Sequence, residues 1–330
     1  MYQASADRYG SVPLRHAGHS GLLLPAVSLG LWRNFDSSSP LADRRALLLH
    51  AFDAGVFHFD VADHYGDPDL GSSEKLLGQV LASDLKPYRD ELVIATKGGF
   101  SIHEGPYGIG QSRKGIMQHI DGSLRRLQTD YVDVYYAHRF DPETPLEETV
   151  QALDDVVRQG KALYIGISNF ETLQAKAAIK LFKELHTPLV LNQMSYNMFN
   201  RNVEDTGLLD TLREGGVGLI AYGPLSEGLL SDRYLNGFDE SFSIHHTNSA
   251  TMKDGEAAVV ARLNQLNEIA KNRNQTLSQM ALAWLLKDPV VASVIIGTTS
   301  IEHFDDNLKA VENLKFTADE LAAIDKITKA

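Results

Sequence analysis

The chain has 330 residues, enough for one large domain or two small ones, and its 43% apolar content can fill a complete core. Its net charge of −12, from 43 acidic against 31 basic residues with no basic block or stripe, argues against nucleic acid as a partner. The absence of cysteine excludes disulfides, thiolate metal sites and a cysteine nucleophile, and it fits a cytoplasmic protein.

Met1 to Gly10 is polar and has no apolar core ahead of a cleavage site, so no secretory leader is expected. No apolar run approaches the ~20 residues that span a bilayer, so no membrane partner is expected either. Leu14–His16 and Leu22–Leu24, around Gly18–Gly21, predict a small hairpin at one end of the fold. Short apolar runs then alternate with longer helical stretches. A strand at Val27–Gly30 precedes a helix around Leu41–Ala54, and a strand ending at Asp60 precedes a helix from Ser73, its expected N-cap, to Leu81. The strand Leu92–Lys97 is followed by a Gly-rich loop and a helix near Arg113–Leu127. The strand ending at His138 leads to a helix starting at Pro145 and closing at Gln159, with Gly160 just past its end. Strands ending at Ser168, Gln193 and Tyr222 are separated by helices near Thr172–Leu185 and Gly207–Glu214. A last strand, Val291–Ile296, precedes a helix around Glu302–Val311.

Strict alternation of this kind predicts a parallel sheet wrapped by helices. The expected fold is α/β, a (β/α)8 TIM barrel over residues 1–330 as one domain. It has an N-terminal β-hairpin and long loops, Gly98–Ser112 and Gly223 to about Asp254, over the C-terminal rim.

Six successive strands end on a polar residue that no turn demands: Asp60, Lys97, His138, Ser168-Asn169, Gln193 and Tyr222. In a parallel barrel these side chains gather at the rim where such folds carry active sites. Asp60, Tyr65, Lys97 and His138 form the most chemical of these groups. A tyrosine with a pKa near ~10 is a poor acid at neutral pH. A buried ammonium beside it favours the phenolate, a carboxylate keeps that ammonium charged, and a histidine opposite can hold a carbonyl oxygen. The group has no nucleophile of its own, so a hydride donor from outside would complete a reductase. A metal site built on His58, Asp60, His64 and His138 is disfavoured, because Lys97 sets a cation beside it; no metal is expected. Ser168, Asn169 and Gln193 can clamp a carboxamide, and Tyr222 offers a flat face to a ring. The loop Gly223-Pro224-Leu225-Ser226-Glu227-Gly228 and the turn Gly297-Thr298-Thr299 expose backbone N–H groups suited to phosphates.

These residues resemble the aldo-keto reductases from about Leu14 to Ile327. Phe59-Asp60-Val61-Ala62-Asp63-His64-Tyr65-Gly66 looks like that family's Asp/Tyr motif, and Thr96-Lys97 and Ala137-His138 match its lysine and histidine. Gly166-Ile167-Ser168-Asn169-Phe170, Asn192-Gln193 and Tyr222 match its nicotinamide contacts. Within the family, Tyr107-Gly108-x-Gly110-x-Ser112-Arg113-Lys114, Tyr131-Val132-Asp133 and Gly207-Leu208-Leu209-Asp210-Thr211-Leu212 are most similar to bacterial L-glyceraldehyde 3-phosphate reductases and potassium-channel β subunits. The β subunits have Asn where His138 stands.

The resemblance implies NADPH across the rim and a small polar aldehyde or ketone as substrate. Tyr65 would be the general acid, Lys97 would lower its pKa, Asp60 would hold Lys97, and His138 would orient the carbonyl. Trp32 would line the mouth, Arg233 would contact the cofactor phosphates, and His303, Asp306 and Asn307 would meet the adenosine end. It also implies a homo-oligomer. Neutral Ser300 and Ser243 stand where related reductases often carry a cation, which leaves NADH open as a cofactor. Two other functions stand beside this one: a nucleotide-sensing subunit with little turnover, and a Schiff-base lyase using Lys97, which Asp60 opposes by keeping the amine protonated.

Overall fold

The computed structural model describes residues 2–66, 68–245 and 248–329. An antiparallel hairpin comes first, with β1 (Leu14–His16) and β2 (Leu23–Pro25) in the register Leu14↔Pro25 and His16↔Leu23. Parallel strands then close into an eight-stranded barrel: β3 (Val27–Gly30), β4 (His58–Asp60), β5 (Val93–Gly98), β6 (Val132–Ala137), β7 (Ala162–Ser168), β8 (Leu189–Ser195), β9 (Gly218–Tyr222) and β10 (Val291–Ile296). Closure comes from β10, which pairs with β9 on one side and β3 on the other. All six residues of β10 are buried, as expected for a strand covered inside by the barrel core and outside by helices.

Helices follow the strands in turn: α1 (Leu41–Asp53), α2 (Ser72–Ser83), α3 (Arg113–Leu127), α4 (Leu146–Arg158) and α5 (Thr172–Leu185). The short α6 (Asn202–Asp205) and α7 (Leu208–Gly215) follow β8. Past β9 come α8 (Ser249–Met252), α9 (Glu256–Asn272) and α10 (Leu277–Leu286), and past β10 come α11 (Ile301–Leu308) and α12 (Ala318–Thr328). In α4 the buried Val150, Leu153 and Val156 make one stripe, with Glu147 and Glu148 in the first turn and Arg158 in the last, complementing the helix dipole.

The hairpin covers the N-terminal ends of β9 and β10. His19 donates its backbone N–H to Gly216 O at 2.8 Å, and Arg15 donates to Leu286 O at 2.7 Å and Asp288 O at 3.0 Å. Gly18 is required there: its φ is +58°, and a Cβ would lie 2.2 Å from Gly216 O.

Several elements differ from the sequence reading. Ser73 does not cap α2; the helix starts one residue earlier behind Gly71, whose φ of +84° supplies the turn. Ser73 instead donates to Leu31 O at 2.6 Å, because Glu74 beside it is drawn inward to Arg126 Nε at 2.6 Å and Thr96 Oγ1 at 2.5 Å. The helices α9, α10 and α12 were not anticipated, and the long connection after β9 holds a 3₁₀ turn at Asp232–Tyr234 as well as α8. The family-like motifs outside the rim have structural work. Ser112 caps α3 by accepting from Gly115 N at 3.2 Å, and Asp133 accepts Ile94 N–H at 2.8 Å while pairing with Arg89 at 2.9 Å.

One barrel-core group gives the fold a pH dependence. His58 is fully buried, with Nδ1 2.8 Å from Ser28 Oγ. Burial, opposed by Asp60 and reinforced by Lys97, pulls its pKa from 6.5 down to about 4. The unfolded chain therefore takes up a proton below pH 6.5 that the folded chain refuses until about pH 4. Stability is expected to fall as pH drops through that window, by roughly 3 kcal/mol from this group alone. His58→Leu should flatten the fall of the urea midpoint over the window; an unchanged slope would place the acid sensitivity elsewhere.

Candidate active site

The C-terminal ends of the strands open into a cleft of about 1450 Å³. Ordinary small-ligand pockets occupy ~300–1,000 Å³, so this one has room for a dinucleotide and a second small molecule. From the barrel mouth it runs over β9 and β10 to the first turn of α10 and to α11.

At the mouth, β4 and β5 pair so that Asp60 stands opposite Ala95, which brings Lys97 of β5 under the segment after β4. Lys97 is fully buried and does not itself line the cleft. Its ammonium donates to Asp60 Oδ1 in a short contact, to Val61 O at 2.9 Å and to the Tyr65 hydroxyl at 3.4 Å. The other Asp60 oxygen accepts from Gln193 Nε2 at 2.9 Å. Burial works against the Lys97 charge, but Asp60 and Tyr65 outweigh it and hold the pKa above the ordinary lysine value. This opposes use of Lys97 as an amine nucleophile.

For Tyr65 the balance differs from the sequence expectation. Lys97 does pull the phenol pKa down, but burial is the larger effect and the net shift is upward. Tyr65 thus stays a proton carrier at neutral pH. The His138 ring lies 5.9 Å from the Tyr65 ring. Burial, then Lys97, His64 and Arg139, hold His138 well below its usual pKa, so it is neutral. Its buried Nδ1 finds no hydrogen-bond partner among the described residues. An oxygen placed between Tyr65 and His138 could receive a proton from the former and a hydrogen bond from the latter.

The remaining predicted residues fall mostly together. Trp32, Ser168, Asn169, Gln193, Tyr222, Gly223, Pro224, Leu225, Gly228, Arg233, Gly297, Thr299, His303, Asp306 and Asn307 all line the cleft. Ser226 does not; it is fully buried, and its backbone N–H donates to Gly223 O at 2.9 Å inside the turn. The Tyr222 hydroxyl donates to Asn169 Oδ1 at 2.9 Å, and Asn169 Nδ2 donates to His138 O at 3.1 Å, fixing the amide group against the mouth. Arg233 is exposed and pairs with Asp239 at 3.2 Å.

These residues fit a nicotinamide dinucleotide. Tyr222 offers a ring face and Asn169 and Gln193 offer amides. At Gly297 an added Cβ would meet nothing within 4 Å, so the backbone of that turn lies open to a phosphate. Among the described residues no group of three His, Cys, Asp or Glu side chains is placed to hold a metal ion.

Arg33 and Phe100 have no role in the sequence reading, which names His64 only in the Asp/Tyr motif and a disfavoured metal set and Glu227 only in the loop after β9; all four stand on the cleft wall. Arg33 lies 3.3 Å from Glu227 and 3.1 Å from His245 Nε2, joining the segment after β3 to the long loop after β9. Only adjacency to Trp32 and Tyr65 could have flagged Arg33 and His64. In the long loop after β9, His246 and Thr247 lie outside the described residues, while Phe238 and Phe242 stack at 4.2 Å.

Barrel, relay and cleft together define an oxidoreductase built around a carbonyl group. The profile of the Aldo/keto reductase family matches residues 26–329. The L-glyceraldehyde 3-phosphate reductase of Escherichia coli K12 is 46% identical over 330 residues, covering 99% of this chain and 95% of that protein. A probable voltage-gated potassium channel subunit beta of Arabidopsis thaliana is 35% identical over 308 residues, 90% of each chain. One of Oryza sativa is 34% identical over 321 residues, 95% of this chain and 94% of its own. The chain belongs to the aldo/keto reductase family, whose members generally work with a nicotinamide cofactor. Among the described residues no helix is long and apolar enough to cross a membrane.

Proposed function

We propose that this protein reduces a small polar aldehyde or ketone to the alcohol, with NADPH as the hydride donor. The observation that carries this is the buried Tyr65–Lys97–Asp60 relay facing neutral His138 at the mouth of a dinucleotide-sized cleft. The cofactor supplies the hydride. His138 orients the carbonyl oxygen, Tyr65 gives it the proton, and Lys97, kept charged by Asp60, stabilises the phenolate left behind. Trp32 lines the substrate side. Tyr222, Asn169, Ser168 and Gln193 hold the nicotinamide end, and the Gly223–Gly228 and Gly297–Thr299 turns hold the phosphates. The name of the Escherichia coli relative favours glyceraldehyde 3-phosphate, with glyceraldehyde and methylglyoxal as simpler candidates.

Cofactor choice is expected to be graded. Arg233 is already paired with Asp239, and Ser300 accepts from His303 N at 3.3 Å as a helix cap, so neither is a dedicated cation for the 2′-phosphate. NADPH should be preferred over NADH by about 10- to 100-fold, the worth of one bond to a charged group. Fluorescence titration with each nucleotide, followed by turnover of glyceraldehyde 3-phosphate and methylglyoxal, tests the reading. Binding of neither nucleotide would overturn it. Tight binding with no turnover of any carbonyl would favour a nucleotide-sensing role, as the channel-subunit names of other relatives suggest.

A further inference from the structure

Directly beside the relay is a second imidazole that the proposed reaction does not use. His64 lines the cleft, with its ring 5.0 Å from Tyr65, 4.9 Å from His138 and 4.8 Å from Phe100. Its Nδ1 is buried 3.5 Å from Asp63 Oδ1, and neither atom has a hydrogen-bond partner among the described residues. Asp63 has no exposed side-chain surface, and its other oxygen is taken by His119 Nδ1 in a short contact. Its backbone N–H is bound to Lys97 O at 3.0 Å, so the carboxylate cannot drift from the relay. The acid is held below the usual carboxylate range: burial pushes it up, but the hydrogen bond from His119 and the nearness of His64 overcome that. A carboxylate facing Nδ1 favours the tautomer with the proton on that nitrogen, which leaves Nε2 as the atom to meet a ligand in the cleft.

We infer that His64, positioned by Asp63, is a substrate contact that selects carbonyl compounds bearing a hydroxyl on the carbon next to the carbonyl. This deepens the reductase reading and rests on it. A carbonyl oxygen held by Tyr65 and His138 sits between two rings that both touch His64. A hydroxyl on the neighbouring carbon lies within one hydrogen-bond length of that oxygen, on whichever side its configuration dictates. Nε2 is the polar atom on the His64 side, while Phe100 packs against the His64 ring and Trp32 against Tyr65. A hydroxyl that leaves water for this wall keeps a partner; a methylene in its place leaves Nε2 without one. A site built to hydrogen-bond a substrate hydroxyl discriminates against the analogue lacking it for that reason.

The test compares lactaldehyde with propanal, which differ by that one hydroxyl, using the full-length protein with NADPH. The quantity read is the ratio of the two kcat/KM values, which does not depend on how much of a variant is folded. The wild type should favour lactaldehyde, and His64→Ala should lower the ratio roughly 10-fold. Asp63→Asn should move the ratio in the same direction, because it removes the carboxylate that favours that tautomer. A ratio unchanged in both variants, in a wild type that does turn over aldehydes, overturns the inference and leaves the reductase reading standing. A wild type that oxidises NADPH with neither aldehyde overturns both.

Discussion

Tyr65→Phe is expected to cut carbonyl reduction by ~10²-fold or more while leaving nicotinamide binding intact. The substitution removes one oxygen, whose hydroxyl is 3.4 Å from the Lys97 ammonium, and it keeps the ring that packs 6.3 Å from Trp32. Asn169 and Gln193 are held by His138, Tyr222 and Asp60 and not by that oxygen, so fluorescence titration with NADPH should give the wild-type affinity. The pH profile carries the sharper information. Burial raises the phenol above its ordinary pKa even against Lys97, so the acid form is present throughout the neutral range. Reduction by the wild type should therefore be flat across neutral pH and decline only on the alkaline side, where the phenol loses its proton. The residual rate of Tyr65→Phe should lack that decline. If turnover survives with the same alkaline limb, another group is the acid.

The group around Tyr65 was legible in the sequence for a physical reason. Parallel strands in a closed barrel all deliver their last residues to one rim, so polar residues that end apolar runs are brought together whatever their separation along the chain. Asp60, His138 and Tyr222 needed only correct strand ends, while Lys97 and Gln193 fall one and two residues inside the ends of β5 and β8 and still reach the mouth. The Asp63–His119 contact was not legible, because it joins a loop after β4 to the middle of α3 across 56 positions, and no periodicity encodes such a meeting. Ser73 misled because a serine before a helix usually caps it; here burial of Glu74 decides the position, and that depends on Arg126 from another helix. The helix α10 has no polar stripe, since every residue from Leu277 to Leu286 except Ser278 is buried, so helical periodicity is faint there. The helix α9 is different. Val259, Leu263, Leu266 and Ala270 form an ordinary apolar face that the spacing does encode.

Lys97→Met is expected to lower both stability and turnover, and the two losses should separate on adding Asp60→Asn. Lys97 and Asp60 are a buried pair, with side-chain exposures of 0% and 4%. Removing the ammonium leaves the Asp60 carboxylate buried with Gln193 as its one remaining side-chain donor among the described residues, a loss of roughly 3–5 kcal/mol. In the double variant the side chain at position 60 is a neutral amide that can still meet Gln193, so most of that stability should return. Turnover should not, because the relay needs the positive charge beside Tyr65 and not merely a filled volume. The pH dependence has a definite sign. The Lys97 pKa is raised in the folded state, so its contribution to stability is full below the ordinary lysine range and is lost only as pH rises through the raised value. The gap between wild type and Lys97→Met, measured by urea unfolding, should therefore be constant through neutral pH and narrow only in strong alkali. Equal stability of the single and double variants would mean that Asp60 is not held by Lys97. Recovery of turnover in the double variant would show that the charge at Lys97 is dispensable to the chemistry.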